Sequence, residues 1–175
     1  VLLMKKLAAL ALTMSVISTP IYAVNANGDN NKNDKMTAEF VQKQVQRSMS
    51  VGRAIKSIVS HYPQQAESVV EAALDLYPED YREIIHAAIS AQPALTDAVV
   101  TIALEKGITN CADIVETAIS AEPSYVDFVV RAAADSTPEE LDEIVRVAVI
   151  AEPDSADQIV QTLAKSHPNK LVDIL

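Results

Sequence analysis

The sequence predicts an all-α fold, an α-solenoid of 30-residue two-helix hairpins, and three observations carry that prediction. Seven of the eight prolines, Pro63, Pro78, Pro93, Pro123, Pro138, Pro153 and Pro168, stand on one 15-residue lattice, whose vacant position is Ile108 preceded by Gly107. Between lattice points, apolar residues recur at fixed offsets: three (Ala66, Cys111, Val126, Leu141), six and seven (Val69-Val70, Ile84-Ile85, Val99-Val100, Val129-Val130), and ten (Ala73, Ala88, Ala103, Ala118). Offsets 3, 6, 7 and 10 form the i, i+3, i+4, i+7 stripe of a helix, not the alternation of a strand. Finally, the segments ending at Pro93, Pro123 and Pro153 match one another two lattice steps apart, and the segments between them do not share that ending. Such internal periodicity marks repeat architecture.

The elements follow in order. Lys5 and Lys6 precede a short apolar run, Leu7 to Ile17, then Pro20 and a small-residue stop at Ala23. Charged start, short apolar stretch and small residue at the cut describe a secretory signal peptide over 1–23. The run is shorter than the ~20 residues that span a bilayer. The Asn-rich stretch that follows reads as a solvated, disordered linker over 24–36. Residues 37–60 read as N-terminal capping helices, with Val51, Ala54, Ile55 and Ile58 on the apolar offsets counted from Ser48. Residues 61–175 are the hairpin array, each unit one helix of about 11–12 residues and a short turn. Proline fits the first helical turn, where its missing N–H has no partner to lose.

Composition narrows the function classes. A formal net charge of −10 argues against nucleic-acid binding, which needs a basic surface. One cysteine excludes an intramolecular disulfide framework and a Cys-rich zinc site. No phosphate loop, dinucleotide fingerprint, nucleophile elbow or zinc-protease motif occurs, so no catalytic residue, cofactor or metal ligand is expected. His61, His86 and His167 are scattered, and Cys111 sits at an apolar offset, where a free cysteine behaves as a small hydrophobe.

The acids are patterned. Glu67, Asp97, Asp127 and Asp157 occupy offset 4 of the first helix of each hairpin; Glu83, Asp113, Glu143 and Asp173 occupy offset 5 of the second. Stacked hairpins turn these into two columns with about 8–10 Å between steps. That is too wide for one calcium site, and it suits a basic, extended partner; acids near helix N-termini also favour the helix dipole. Charge is also split along the chain: residues 24–60 carry net +3 and residues 61–175 net −15. The basic segment 37–60 could touch anionic lipid or fold back on the acidic array, and folding back is the preferred reading.

The Pro lattice and paired apolar offsets over residues 48–175 resemble helical-hairpin repeat proteins in general, such as tetratricopeptide-like and HEAT-like arrays. They also resemble the short Ala/Pro/Val-rich repeats of exported bacterial proteins. A tetratricopeptide repeat is longer, and its Trp, Gly and Tyr signature positions are not present here. The resemblance implies architecture and a bias toward protein binding, with no functional residue.

The expectation is therefore an exported, non-enzymatic protein of the bacterial periplasm or exterior. It would bind a protein or peptide partner, of basic character if the acid columns are the docking surface. The alternative is a carrier of an apolar or lipid-like ligand held between Ala- and Val-lined helices.

Overall fold

A computed structural model of the chain describes residues 26–174; the signal-peptide reading of 1–23 lies outside the described residues. The order is α1 (Ala26–Ser48), α2 (Val51–His61), α3 (Ala66–Leu76), α4 (Tyr81–Ala91), α5 (Thr96–Lys106), α6 (Cys111–Ala121), α7 (Val126–Ser136), α8 (Leu141–Ala151), α9 (Ala156–Ser166) and α10 (Leu171–Ile174). The described residues contain no strand. From α2 to α9 each helix has 11 residues.

Proline sets this length. The residue before each lattice proline is pushed out of the α region by the pyrrolidine ring. Tyr62, Tyr77, Gln92, Glu122, Thr137, Glu152 and His167 accordingly have φ between −127° and −153° and end the preceding helix. The proline then opens a three-residue 3-10 turn. The amide of its third residue donates back to the carbonyl before the proline, as Gln65 does to Tyr62 and Asp80 to Tyr77, both at 3.0 Å.

Two turns lack a lattice proline, and both use cap chemistry instead. At the vacant position α5 ends on Gly107 in the left-handed region (φ 59°), and the Asn110 side chain accepts the Asp113 amide at 2.8 Å to start α6. Between α1 and α2, Met49 is left-handed (φ 55°) and the Ser50 hydroxyl accepts the Arg53 amide at 3.3 Å. A left-handed residue closes the last turn and a polar side chain satisfies an orphan amide of the next helix.

The helices form two layers. α2, α4, α6 and α8 pack side by side in one, and α1, α3, α5, α7 and α9 in the other; consecutive helices pack across the layers, and α10 rests on α8 and α9. The offset-10 residues from Ala73 to Leu163 are fully buried, as are the paired β-branched residues from Val69-Val70 to Val129-Val130. The small alanines let helices approach closely, and each buried Val or Ile contributes about 1.5–3 kcal/mol. The buried arc is wider than the four-offset stripe, because Leu74, Ile89, Ile119 and Ala134, at offset 11, are also at 0% exposure. A helix held by neighbours in its own layer and across the layers buries more than one stripe.

Residues 26–36 differ from the expected disordered linker: from Ala26 onward they belong to α1. Residues 30–36 are nevertheless exposed on every side, so this end of the helix buries nothing. Val41 is at 0% exposure, and Phe40 and Val45 pack against the core. The helices of 37–60 are the first members of the two layers, with α1 against α3 and α2 against α4, rather than a segment laid along the array.

Five polar contacts between hairpins share one register. Gly52 with Glu83, Asp75 with Lys106, Arg82 with Asp113, Ser90 with Ala121 and Asp127 with Gln158 are all hydrogen-bonded pairs 31 residues apart. Neighbouring helices of a layer thus sit one residue out of phase with the hairpin repeat.

Candidate binding surfaces

The register separates the two acid columns. Offset 5 of a helix faces offset 4 of the preceding helix in its layer, so the column Glu83, Asp113, Glu143 points toward a neighbour. Glu83 accepts the Gly52 amide at 2.9 Å. Asp113 accepts from Arg82 at 2.9 Å, from Thr109 at 3.1 Å, from Asn110 at 3.2 Å and from the Tyr81 hydroxyl at 3.4 Å. Opposite Glu143 the register places Ala112, which offers no donor, and Glu143 turns to Arg146 of its own helix. The Arg146 hydrogen bond holds the Glu143 carboxyl below the ordinary glutamate range. The side chain of Asp173 lies outside the described residues.

The offset-4 column is different. Glu67, Asp97 and Asp157 are exposed, and among the described residues they accept no hydrogen bond and form no ion pair. Their register partner is Ala98 for Glu67 and Phe128 for Asp97, neither with a side-chain donor. Asp127 is half-buried and accepts from Gln158 and Thr162 of α9. The face of α3, α5, α7 and α9 therefore presents three carboxylates with no internal use, while Glu71 and Asp75 of α3 are engaged. That pair holds Lys106 at 3.4 and 2.7 Å. Burial by itself would lower the Lys106 pKa, but the Asp75 hydrogen bond and the two carboxylate charges raise it above the ordinary lysine value.

The other layer carries a feature that the sequence reading did not single out. A groove of about 520 Å³ crosses α2, α4 and α6, lined among others by Arg53, Lys56, Arg82, Glu83, His86 and Ser90. Arg82 is held by Asp113 and lies 5.4 Å from the centre of the Tyr81 ring. Arg53 and Lys56 are exposed, with no side-chain hydrogen bond or ion pair among the described residues. The positive balance of 24–60 was the signal in the sequence. Its convergence with Arg82 and His86 depends on α2 packing beside α4.

The histidines and the cysteine make local contacts. His61 donates from Nδ1 to the Ser57 carbonyl at 2.7 Å, His86 faces Ser90 at 3.4 Å, and His167 lies 3.5 Å from Asp135. Cys111 is 3% exposed; burial pushes its thiol pKa up, and a contact with Thr137 opposes this only in part. No group of three or more His, Cys, Asp or Glu able to hold a metal occurs among the described residues. No helix among them is long and apolar enough to cross a membrane. No family model matches the chain, and no curated protein or solved structure shows significant similarity to it.

Proposed function

We propose that this chain is an exported, non-enzymatic helical-repeat protein that serves as a protein- or peptide-binding scaffold in the bacterial periplasm or outside the cell. One observation carries the reading: Glu67, Asp97 and Asp157 recur at one offset of the hairpin repeat on one layer, exposed and, among the described residues, without internal partners. Carboxylates needed only for solubility do not have to recur at one offset, and an extended basic partner gains from summed attraction along the row. Each exposed pair is worth little by itself, so affinity depends on the set.

Binding of a lysine-rich peptide, followed by titration calorimetry, tests this. Affinity should fall as salt rises, because screening shortens the field to ~8 Å at physiological ionic strength. Glu67→Gln/Asp97→Asn/Asp157→Asn should weaken it while the helical circular dichroism stays unchanged. Binding indifferent to both salt and the triple variant would remove the basis of the proposal. Export is tested separately: intact mass of the protein from its bacterial source should show a species beginning near Val24, and retention of full-length chain in the cytosol would contradict it.

A further inference from the structure

We infer that the groove across α2, α4 and α6 is a second docking site, of opposite polarity, for an acidic extended peptide segment of a partner protein. It lies on the other layer from the Glu67–Asp97–Asp157 face and does not depend on that reading.

Charge comes first. In a chain of net charge −10, the groove gathers Arg53, Lys56 and Arg82; Arg82 is shared with Asp113 at 2.9 Å and Glu116 at 4.0 Å, so the unpaired positive charge is that of Arg53 and Lys56. Glu83 is already engaged by the Gly52 amide at 2.9 Å and lies 3.5 Å from the Ser50 hydroxyl, so its carboxylate neutralises the N-terminal end of α2 rather than Arg53 and Lys56. Helices α3 to α9 each carry an acid in the first turn, and α2 carries none. No residue of α2 is acidic, so Arg53 and Lys56 have no acidic neighbour on their own helix.

Spacing selects the ligand. Arg53 and Lys56 are three residues apart on α2, about 4.5 Å along the axis, and Arg82 and His86 are four apart on α4, about 6 Å. The two rows are separated by the helix packing distance, about 8–10 Å. A peptide in the polyproline II conformation advances about 3.1 Å per residue and brings every third side chain to one face, so carboxylates three residues apart would meet the α2 row and the α4 row in turn. A single oxyanion reaches one row and leaves most of the 520 Å³ groove unfilled. Ser90 lines the same groove; its hydroxyl donates to the Ala121 carbonyl at 3.3 Å and meets His86 Nδ1 at 3.4 Å, which leaves one lone pair of its oxygen for a peptide amide.

Fluorescence anisotropy with a labelled peptide bearing glutamate at every third position tests the site, with the glutamine counterpart as control. The peptide should bind at ~50 mM salt, where attraction is little screened, and the control should not. Arg53→Gln/Lys56→Gln, at exposed positions with no internal side-chain bonds among the described residues, should weaken binding about tenfold with an unchanged helical signal. Arg131→Gln/Lys165→Gln, which removes the same charge from the other layer, should leave binding within about twofold. Amide resonances of Ser50 to Lys56 and Arg82 to Ser90 should shift on titration. No binding up to ~1 mM peptide, equal binding of the glutamine control, or equal losses in the two double variants would each overturn the proposal. So would displacement by phosphate at the peptide's own concentration, which would make the groove a simple oxyanion site.

Discussion

The Glu83 carboxylate of α4 accepts a hydrogen bond from the Gly52 amide of α2 at 2.9 Å, across a separation of 31 residues. In an ordinary capping arrangement the acid belongs to the helix it caps. Here the neighbouring repeat supplies it, and the missing Cβ of Gly52 leaves room: a methyl group there would lie 3.2 Å from Glu83 Oε2. Capping and stacking are thus one interaction.

Glu83→Ala should therefore lower stability by about 1 kcal/mol, the usual cost of a lost helix cap. Glu67→Ala, at an exposed carboxylate with no partner among the described residues, should stay within about 0.5 kcal/mol. Urea denaturation of both variants reads the difference, and equal shifts would show that the Glu83 contact contributes nothing.

The two proline-free turns make opposite predictions from one rule. Gly107 holds φ 59° with nothing within 4 Å of an added Cβ, so Gly107→Ala should cost about 1 kcal/mol through backbone strain and not through a clash. Met49 holds φ 55° at 86% exposure, so Met49→Gly should stabilise by up to about 1 kcal/mol. Thermal melts of the two variants should move in opposite directions.

Val100 and Val130 are fully buried in central repeats. Aspartate at either position buries an unpaired charge and should cost more than about 4 kcal/mol, enough to unfold the domain. Gln158 has a polar offset but is not a neutral control, because it donates to Asp127, and aspartate there would set two carboxylates together. Gln161, exposed on α9, is the appropriate control, and Gln161→Asp should shift the melting midpoint little.

The Cys111 thiol, buried and pushed toward higher pKa, should react slowly with a thiol reagent at mildly alkaline pH and rapidly once denaturant is added. Fast labelling of the native protein would place Cys111 at an accessible surface.

Glu143 carries the pH prediction. Its carboxyl is held low by Arg146, so the folded state binds its proton more weakly than the unfolded state. The stabilisation is present above the unfolded glutamate pKa and fades as pH falls through the lowered folded value. A side-chain titration by NMR should give Glu143 a midpoint below the ordinary glutamate value, and Arg146→Gln should raise it.

Much of this architecture was legible because proline is a strong local signal. Pro63 and its lattice equivalents set the short, equal helices, and the β-branched pairs from Val69-Val70 onward marked the buried face. Burial of Leu74 and Ile119 was not legible, because it depends on how many neighbours a helix has and not on its own period. The register of the polar pairs was hidden for a related reason: it follows from the offset between adjacent hairpins. So the sequence showed eight acids in two columns but not that Glu83 and Asp113 bind neighbouring repeats while Glu67 and Asp97 do not. The Arg53–Lys56–Arg82 groove was equally out of reach, since its members meet only after α2 docks on α4.

The pairing between like helices of successive hairpins also governs how such a chain can change in length. The core repeats with every helix and would accept one helix in place of the next. Gly52–Glu83, Asp75–Lys106 and Arg82–Asp113 would not, because each joins helices of one layer. Loss of a single helix with its turn would reverse the direction of every helix after it and carry the Asp97–Asp157 face to the opposite side of the molecule. Loss or duplication of a complete hairpin would preserve both the pairs and the faces. Insertions and deletions that keep this protein functional should therefore come in whole hairpins, although its interior is indifferent to half of one.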